Sequence, residues 1–142
     1  MNELKIGSDL AEIEKIKDFL KESLKGWSIS EQAFYIIELS IAEICINIVR
    51  YAYPHKKGKI FLKTWRQERK LFIEIRDNGV PFDPRETKSP DIREIIKGKK
   101  RGGLGIFLAR ELMNGFDYRR ENNQNILTMS KKIEEAAAPE SV

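Results

Sequence analysis

A chain of 142 residues has the usual size of one globular domain and can bury a single hydrophobic core. Its formal net charge is +4 and its basic residues are scattered, so composition gives only weak support for acidic partners and does not indicate nucleic-acid binding. The one cysteine, Cys45, excludes an intrachain disulfide and a cysteine-based zinc cluster. No apolar run approaches the roughly 20 residues of a membrane helix, and the N-terminus lacks a signal-peptide pattern, so we expect a cytoplasmic protein.

The first third of the chain predicts one strand and two helices. The run ELKI can form a short strand, and apolar residues then recur at helical spacing over residues 10–24, with Gly26 placed to end the helix. A second, unusually apolar helix is predicted to begin near Ser28, which is spaced with Glu31 as a capping box. This helix must end before Pro54.

The remainder of the chain predicts a hairpin, an irregular stretch, a helix and a second hairpin. The runs KIFLKTWRQ and LFIEIRD alternate with a period of two. Residues 77–103 are irregular, with one short helical candidate, and a stretch of this length favours a functional lid. A helix from Leu104 to about Met113 then precedes two strand-like runs around an Asn/Gln turn.

This order of elements predicts the fold class α+β. We expect a two-layer sandwich whose mixed, mostly antiparallel sheet is covered by helices on one face. Residues 1–133 would form the domain, and residues 134–142 a disordered tail without apolar periodicity.

Three local patterns can carry chemistry, and the first is the pair Glu43 and Asn47 on the second predicted helix. Because the two residues are four apart, their side chains share one side of the helix, next to its apolar stripe. An acid and an amide can hold a hard cation, or one can bind a metal while the other deprotonates a hydroxyl. A solvated pair at the edge of a helix would look the same, so the pair alone leaves both interpretations open.

The second pattern is the sequence DNG at the end of a predicted strand. Asp77 can be a buried acceptor for an exocyclic amine of a nucleobase, with Gly79 leaving room for the ring. Asp-Asn-Gly is also a common turn sequence, in which Gly79 would adopt a positive φ.

The third pattern is a glycine cluster directly before the third predicted helix. Gly102, Gly103 and Gly105 allow a ligand to approach the backbone closely, and the helix start offers unpaired N–H groups suited to phosphate. Arg101 can add a bidentate contact to phosphoryl oxygens. A glycine-rich hinge among solvated lysines is the alternative, and neither the Walker nor the Rossmann phosphate loop is present.

The three patterns in this order resemble the ATPase superfamily of gyrase, the heat-shock chaperone, sensor histidine kinases and mismatch-repair ATPases. Over about residues 3–133 the chain looks most like the anti-sigma factor serine/threonine-protein kinases. The boxes that carry the resemblance are E-x-x-x-N at Glu43 to Asn47, D-x-G at Asp77 to Gly79, and G-x-G at Gly103 to Gly105. The resemblance implies the Bergerat-type ATP-binding fold.

The resemblance also implies ATP and Mg²⁺ as cofactors and assigns roles to the residues of the boxes. Glu43 would be the catalytic base, and Asn47 would ligate Mg²⁺. Asp77 would contact adenine, above a floor shaped by Gly79. The phosphates would be bound by Arg101, Gly103, Leu104 and Gly105. Tyr51 stands where many relatives have histidine.

The function implied is a kinase that sequesters a sigma factor and phosphorylates a serine or threonine of an antagonist protein. Family likeness suggests a homodimer without direct nucleic-acid or membrane contact. A non-catalytic switch, in which ATP only stabilises a protein-binding conformation, is the main alternative. A basic nucleic-acid-binding domain ranks last and would show steeply salt-dependent affinity.

Overall fold

The computed structural model describes residues 1–86 and 104–133, and these contain five strands and three α-helices. The strands are β1 (Asn2–Gly7), β2 (Lys59–Gln67), β3 (Lys70–Asp77), β4 (Gly115–Glu121) and β5 (Gln124–Lys132). The α-helices are α1 (Lys15–Ser23), α2 (Glu31–Asn47) and α3 (Leu104–Leu112). Two 3-10 segments, Leu10–Glu14 and Pro84–Glu86, and a π-helical turn, Ile48–Ala52, complete the described elements.

The strands form one sheet in the order β1-β2-β3-β5-β4, and every described pairing is antiparallel. The sequence predicts a mixed, mostly antiparallel sheet, whereas the described part contains antiparallel pairs alone. Asn122 and Asn123 close the β4–β5 hairpin with φ of 52° and 62°, the left-handed values that a two-residue turn between twisted strands requires. β5 lies between β3 and β4 and runs antiparallel to β3. The last residue of β3 therefore lies beside the start of β5, although the two are far apart in sequence.

The helices cover one face of the sheet, as the sequence predicts. Along β3, Ile73 and Ile75 are buried while their neighbours Phe72 and Glu74 are only partly covered, which is the period-2 pattern of a one-sided sheet. The central helix α2 packs its buried face, which includes Ile41, into this core. This burial explains the unusually apolar sequence of the helix. The predicted α+β two-layer architecture is therefore confirmed.

Two helix starts differ from prediction. α2 is capped by Ser30 and not by Ser28, since the Ser30 hydroxyl accepts a hydrogen bond of 3.0 Å from the Ala33 amide. The first predicted helix begins as a 3-10 turn and becomes α-helical only at Lys15. Its predicted terminator, Gly26, does adopt the left-handed conformation, with φ of 85°.

The continuous helix Glu31–Ala52 is 22 residues long and apolar enough to cross a membrane by length and composition alone. This contradicts the expectation that no apolar run approaches that length. The same test is passed by core helices of soluble proteins, and 39% of the residues in the most apolar window are buried within this structure. Of the irregular stretch 77–103 that was predicted as a lid, residues 87–103 lie outside the described residues, as does the predicted tail.

Candidate functional site

The site is built around Asp77, the last residue of β3. Alternation along the strand turns Asp77 to the same side as Ile75, so its carboxylate lies on the helix-covered face and is 1% exposed. Oδ1 accepts two hydrogen bonds of 2.8 Å, one from the Gly79 amide and one from Nδ2 of Asn125. Oδ2 receives no hydrogen bond from residues 1–86 or 104–133.

The hydrogen bond from the Gly79 amide shows that the DNG sequence forms a turn, and the contact of Asp77 with a nucleobase stays a prediction. Asp77 closes a side-chain turn over Gly79, and it is also the buried acceptor that the sequence suggested. The expected positive φ of Gly79 is wrong, because Gly26 is the one glycine with a left-handed φ in the described part of the chain.

Gly79 is required for a different reason, namely its close approach to the end of the central helix. A Cβ at this position would lie 2.2 Å from the carbonyl oxygen of Ala52. The next amide, that of Val80, donates a hydrogen bond of 2.8 Å to the same oxygen. The turn after β3 is therefore pressed against the π-helical turn that ends the central helix.

Tyr53 also stabilises the contact between the turn after β3 and the end of the central helix. Its hydroxyl accepts a hydrogen bond of 2.7 Å from the Asn78 amide and donates one of 2.7 Å to the Lys59 carbonyl. Burial is the main cause that raises the pKa of Tyr53, so the hydroxyl stays protonated and able to donate. One tyrosine thus connects the helix end, the start of β2 and the turn after Asp77.

Burial is also the main cause that raises the pKa of Asp77 above its ordinary value. Hydrogen bonds from Asn125 and Gly79 and the charge of Arg120 oppose this shift. Arg120 is anchored nearby, since it donates a hydrogen bond of 2.8 Å to the Gly79 carbonyl. A ligand that donates to Oδ2 would favour the ionised carboxylate further.

Glu43 and Asn47 lie together on α2, as their spacing predicts. The Asn47 side chain donates from Nδ2 to the Glu43 carbonyl at 2.9 Å, which fixes the rotamer and directs Oδ1 away from that carbonyl. Both side chains are partly exposed. In the ranges 1–86 and 104–133, neither the Glu43 carboxylate nor Asn47 Oδ1 receives a hydrogen bond.

The structure brings the E-x-x-x-N helix and the D-x-G turn to one place. Ile44 and Ile48, which follow Glu43 and Asn47 on the helix, line a cavity of about 10 Å³ that Asp77 also lines. A cavity of this size has room for one water molecule at most. Phe82, from the segment after the turn, closes the same cavity and packs its ring against Tyr51 with centroids 5.3 Å apart.

The glycine box is described only in part. Arg101 and Gly103 lie outside the described residues, whereas Leu104 and Gly105 form the first turn of α3. α3 packs against α2, so the start of α3 lies on the same helical layer as Glu43 and Asn47. No group of three or more His, Cys, Asp or Glu residues suited to a metal occurs in residues 1–86 and 104–133.

Sequence reasoning missed Asn125, the direct register partner of Asp77 on β5. The signal was present, because Leu127 and Met129 follow Asn125 at a period of two and both are buried. A polar residue in phase with the core side of a strand must have hydrogen-bond partners. Tyr53 and Tyr118 gave no comparable signal, because a tyrosine is common on a partly buried surface and its sequence position does not identify the partner of its hydroxyl.

The comparisons with known proteins agree with this architecture. A model of the histidine kinase-like ATPase domain matches residues 6–131, and the chain therefore belongs to this family. The solved structure of the blue-light activated histidine kinase of Erythrobacter litoralis EL346 aligns with a TM-score of 0.54 at 16% identity. That alignment covers 87% of this chain and 41% of the histidine kinase, and it supports the fold alone.

Within the family, the chain is similar to serine-protein kinases. Serine-protein kinase RsbW of Bacillus cereus is 31% identical over 102 residues, which cover 69% of this chain and 63% of RsbW. Serine/threonine-protein kinase BtrW of Bordetella bronchiseptica is 31% identical over 108 residues, or 75% of this chain and 73% of BtrW. The chain thus spans about 63% of the length of the Bacillus relatives it matches. The family resemblance seen in the sequence is confirmed.

Proposed function

We propose that the protein is an ATP-dependent serine/threonine-protein kinase. The observation that carries the proposal is the carboxylate of Asp77, which is 1% exposed and has one oxygen without a donor in residues 1–86 and 104–133. A buried acceptor without a partner is costly unless a ligand supplies the donor, and the exocyclic amine of adenine is such a donor. The names of the relatives supply the reaction class.

Mg²⁺ fits the free oxygen of Asn47. Because Nδ2 is engaged by the Glu43 carbonyl, Oδ1 is the atom left to bind a cation, and a neutral amide oxygen is a ligand that Mg²⁺ accepts. ATP with Mg²⁺ supplies an activated phosphoryl group whose charge is partly neutralised. Asn47 would hold the cation close to the helix, and Asp77 would hold the base.

Glu43 would act as the base that takes the proton from the attacking hydroxyl. The Glu43 carboxylate has no described partner to neutralise it. Glu43 precedes Asn47 by about one helical turn, so the two side chains are neighbours on α2. A general base must be within hydrogen-bond reach of the substrate hydroxyl, and partial exposure leaves Glu43 accessible to one. Arg101, Gly103, Leu104 and Gly105 would bind the phosphates.

The partner proteins are part of the same proposal. The protein would sequester a sigma factor and phosphorylate a serine or threonine of the antagonist that releases it, acting as a cytoplasmic homodimer. The likeness to RsbW and BtrW, both named as protein kinases, supports a protein as the phosphate acceptor.

Nucleotide binding is tested by isothermal titration of ATP and ADP with and without Mg²⁺. Asp77→Ala is expected to abolish binding, and Asn47→Ala to remove its dependence on Mg²⁺. Asp117→Asn, a carboxylate change at an exposed position of β4, is the matched control and should bind like the wild type. A wild type that binds neither nucleotide at millimolar concentration would refute the proposal.

Phosphoryl transfer needs a second experiment, in which labelled ATP and a purified antagonist are incubated with each variant. Glu43→Gln is expected to keep ATP affinity and to slow transfer by about 100-fold or more. Glu38→Gln makes the same change five residues earlier on the same helix and should transfer normally. If Glu43→Gln transfers at the wild-type rate, Glu43 is not the base. If the wild type binds ATP and antagonist without transfer, the protein is a non-catalytic switch.

A further inference from the structure

Asn125 uses its whole hydrogen-bonding capacity around Asp77. Its Nδ2 donates to Asp77 Oδ1 at 2.8 Å and to the Val80 carbonyl at 2.9 Å. Its Oδ1 accepts from the Tyr118 hydroxyl at 2.6 Å and from the Phe82 amide at 3.2 Å. An amide has two donor hydrogens and one acceptor oxygen with two lone pairs, so every position is occupied.

This network also settles the orientation of the amide. A flipped Asn125 would set its oxygen against two acceptors, the Asp77 carboxylate and the Val80 carbonyl, and its NH₂ group against the Phe82 N–H. Such a flip would lose three hydrogen bonds. Asn125 is 4% exposed, so water cannot replace them at low cost.

The consequence for Asp77 is that its two oxygens are no longer equivalent. Oδ1 is saturated by the Gly79 amide and by Asn125, and rotation of the carboxylate would break both bonds. Oδ2 stays available as a single acceptor in a fixed direction. The same amide holds the backbone at Val80 and Phe82, and Phe82 lines the cavity that Asp77 also lines.

We propose that Asn125 is a positioning residue that makes the site selective for an amino-purine over an oxo-purine. This inference rests on the proposed function, since it assumes that a purine nucleotide binds at Asp77. A carboxylate with one free oxygen accepts a hydrogen bond from a 6-amino group, whereas a 6-oxo group at the same place would face it as a second acceptor. If the carboxylate could rotate or change its protonation, this discrimination would weaken.

The test compares the dissociation constants of ATP and ITP, which carry an amino and an oxo group at the same ring position. We expect the wild type to bind ATP at least about tenfold more tightly than ITP. Asn125→Asp keeps the shape and the acceptors but sets a second carboxylate against Asp77, so the ratio should fall below about threefold. Asn114→Asp, the same exchange at an exposed position near the start of β4, should leave the ratio unchanged.

A merely structural role of Asn125 would weaken both nucleotides equally and leave their ratio unchanged. If Asn125→Asp does not fold, Asn125→Ala removes the same donors without adding charge, and the same fall in the ratio is expected. A folded variant that keeps the wild-type ratio would overturn the inference while ATP binding by the wild type stands. A wild type that binds ATP and ITP equally would also overturn it, and one that binds no nucleotide would overturn the proposed function together with it.

Discussion

The substitution Gly79→Ala tests the contact between the turn after β3 and the end of the central helix. The new Cβ would lie 2.2 Å from the Ala52 carbonyl oxygen, whereas ordinary contact begins at 3.4 Å, so the two segments must separate by about 1.2 Å (3.4 − 2.2). The obstacle is backbone, which cannot move aside as a flexible side chain would. The separation would also lengthen the 2.8 Å hydrogen bond from Val80 to Ala52.

The expected cost follows from these two effects. Overpacking a close contact costs about 1–3 kcal/mol, and loss of one buried hydrogen bond adds about 1 kcal/mol. The sum of about 2–4 kcal/mol corresponds to a fall in Tm of roughly 7–13 °C for a domain of this size. Because the same shift moves Asp77 relative to the helix, ATP affinity should fall as well.

Thermal unfolding by circular dichroism and urea titration measure this cost directly. Gly7→Ala is the matched control, because a Cβ there meets only the Glu12 carboxylate at 4.0 Å. Its stability should stay within about 0.5 kcal/mol of the wild type or rise slightly. A Gly79→Ala protein as stable as Gly7→Ala would show that the turn is not pressed against Ala52, and the reasoning would be wrong.

Three further substitutions probe the same region and one hairpin. Burial raises the pKa of Asp77, so ionisation of this carboxyl destabilises the wild-type fold as pH increases. Asp77→Asn cannot ionise. The free energy of unfolding of Asp77→Asn minus that of the wild type should therefore rise as pH increases from below 3.8 to neutrality. A difference independent of pH in urea titrations would contradict this. Tyr53→Phe leaves the Asn78 amide and the Lys59 carbonyl unpaired and should cost about 1–3 kcal/mol in the same assay, whereas the exposed Tyr35→Phe should cost nothing measurable. Glu68 has a left-handed φ of 58°, which a residue with a Cβ adopts at a cost. Glu68→Gly should therefore raise the free energy of unfolding by about 1 kcal/mol in urea titration. An unchanged free energy would show that this φ is not strained in solution.

Periodicity was sufficient to predict the two layers of the fold. The alternation through Ile73 and Ile75 identified the buried face of the sheet, and the apolar stripe through Ile41 identified the central helix. Helix starts were less predictable, because Ser28 and Ser30 both offer a hydroxyl and only the three-dimensional path of the chain decides which one caps.

The candidate site was predictable where its residues follow one another in the chain. Glu43 and Asn47 share a helix face at fixed spacing, and Asp77 and Gly79 share a turn. Asn125 comes from a strand 48 residues away, so its contact with Asp77 depends on sheet register, which no local pattern specifies. The role of Gly79 could not be deduced either, because it depends on a carbonyl of another element.

The pairing of β3 with β5 has a consequence for when the site exists during folding. The β2–β3 hairpin can form early from local contacts, but Asp77 acquires its partner Asn125 only when β5, which is distant in sequence, pairs with β3. A partly folded chain that holds the hairpin alone therefore lacks the proposed nucleotide site. Because a ligand stabilises only the state that binds it, ATP bound at the proposed site would favour the completed sheet over every intermediate.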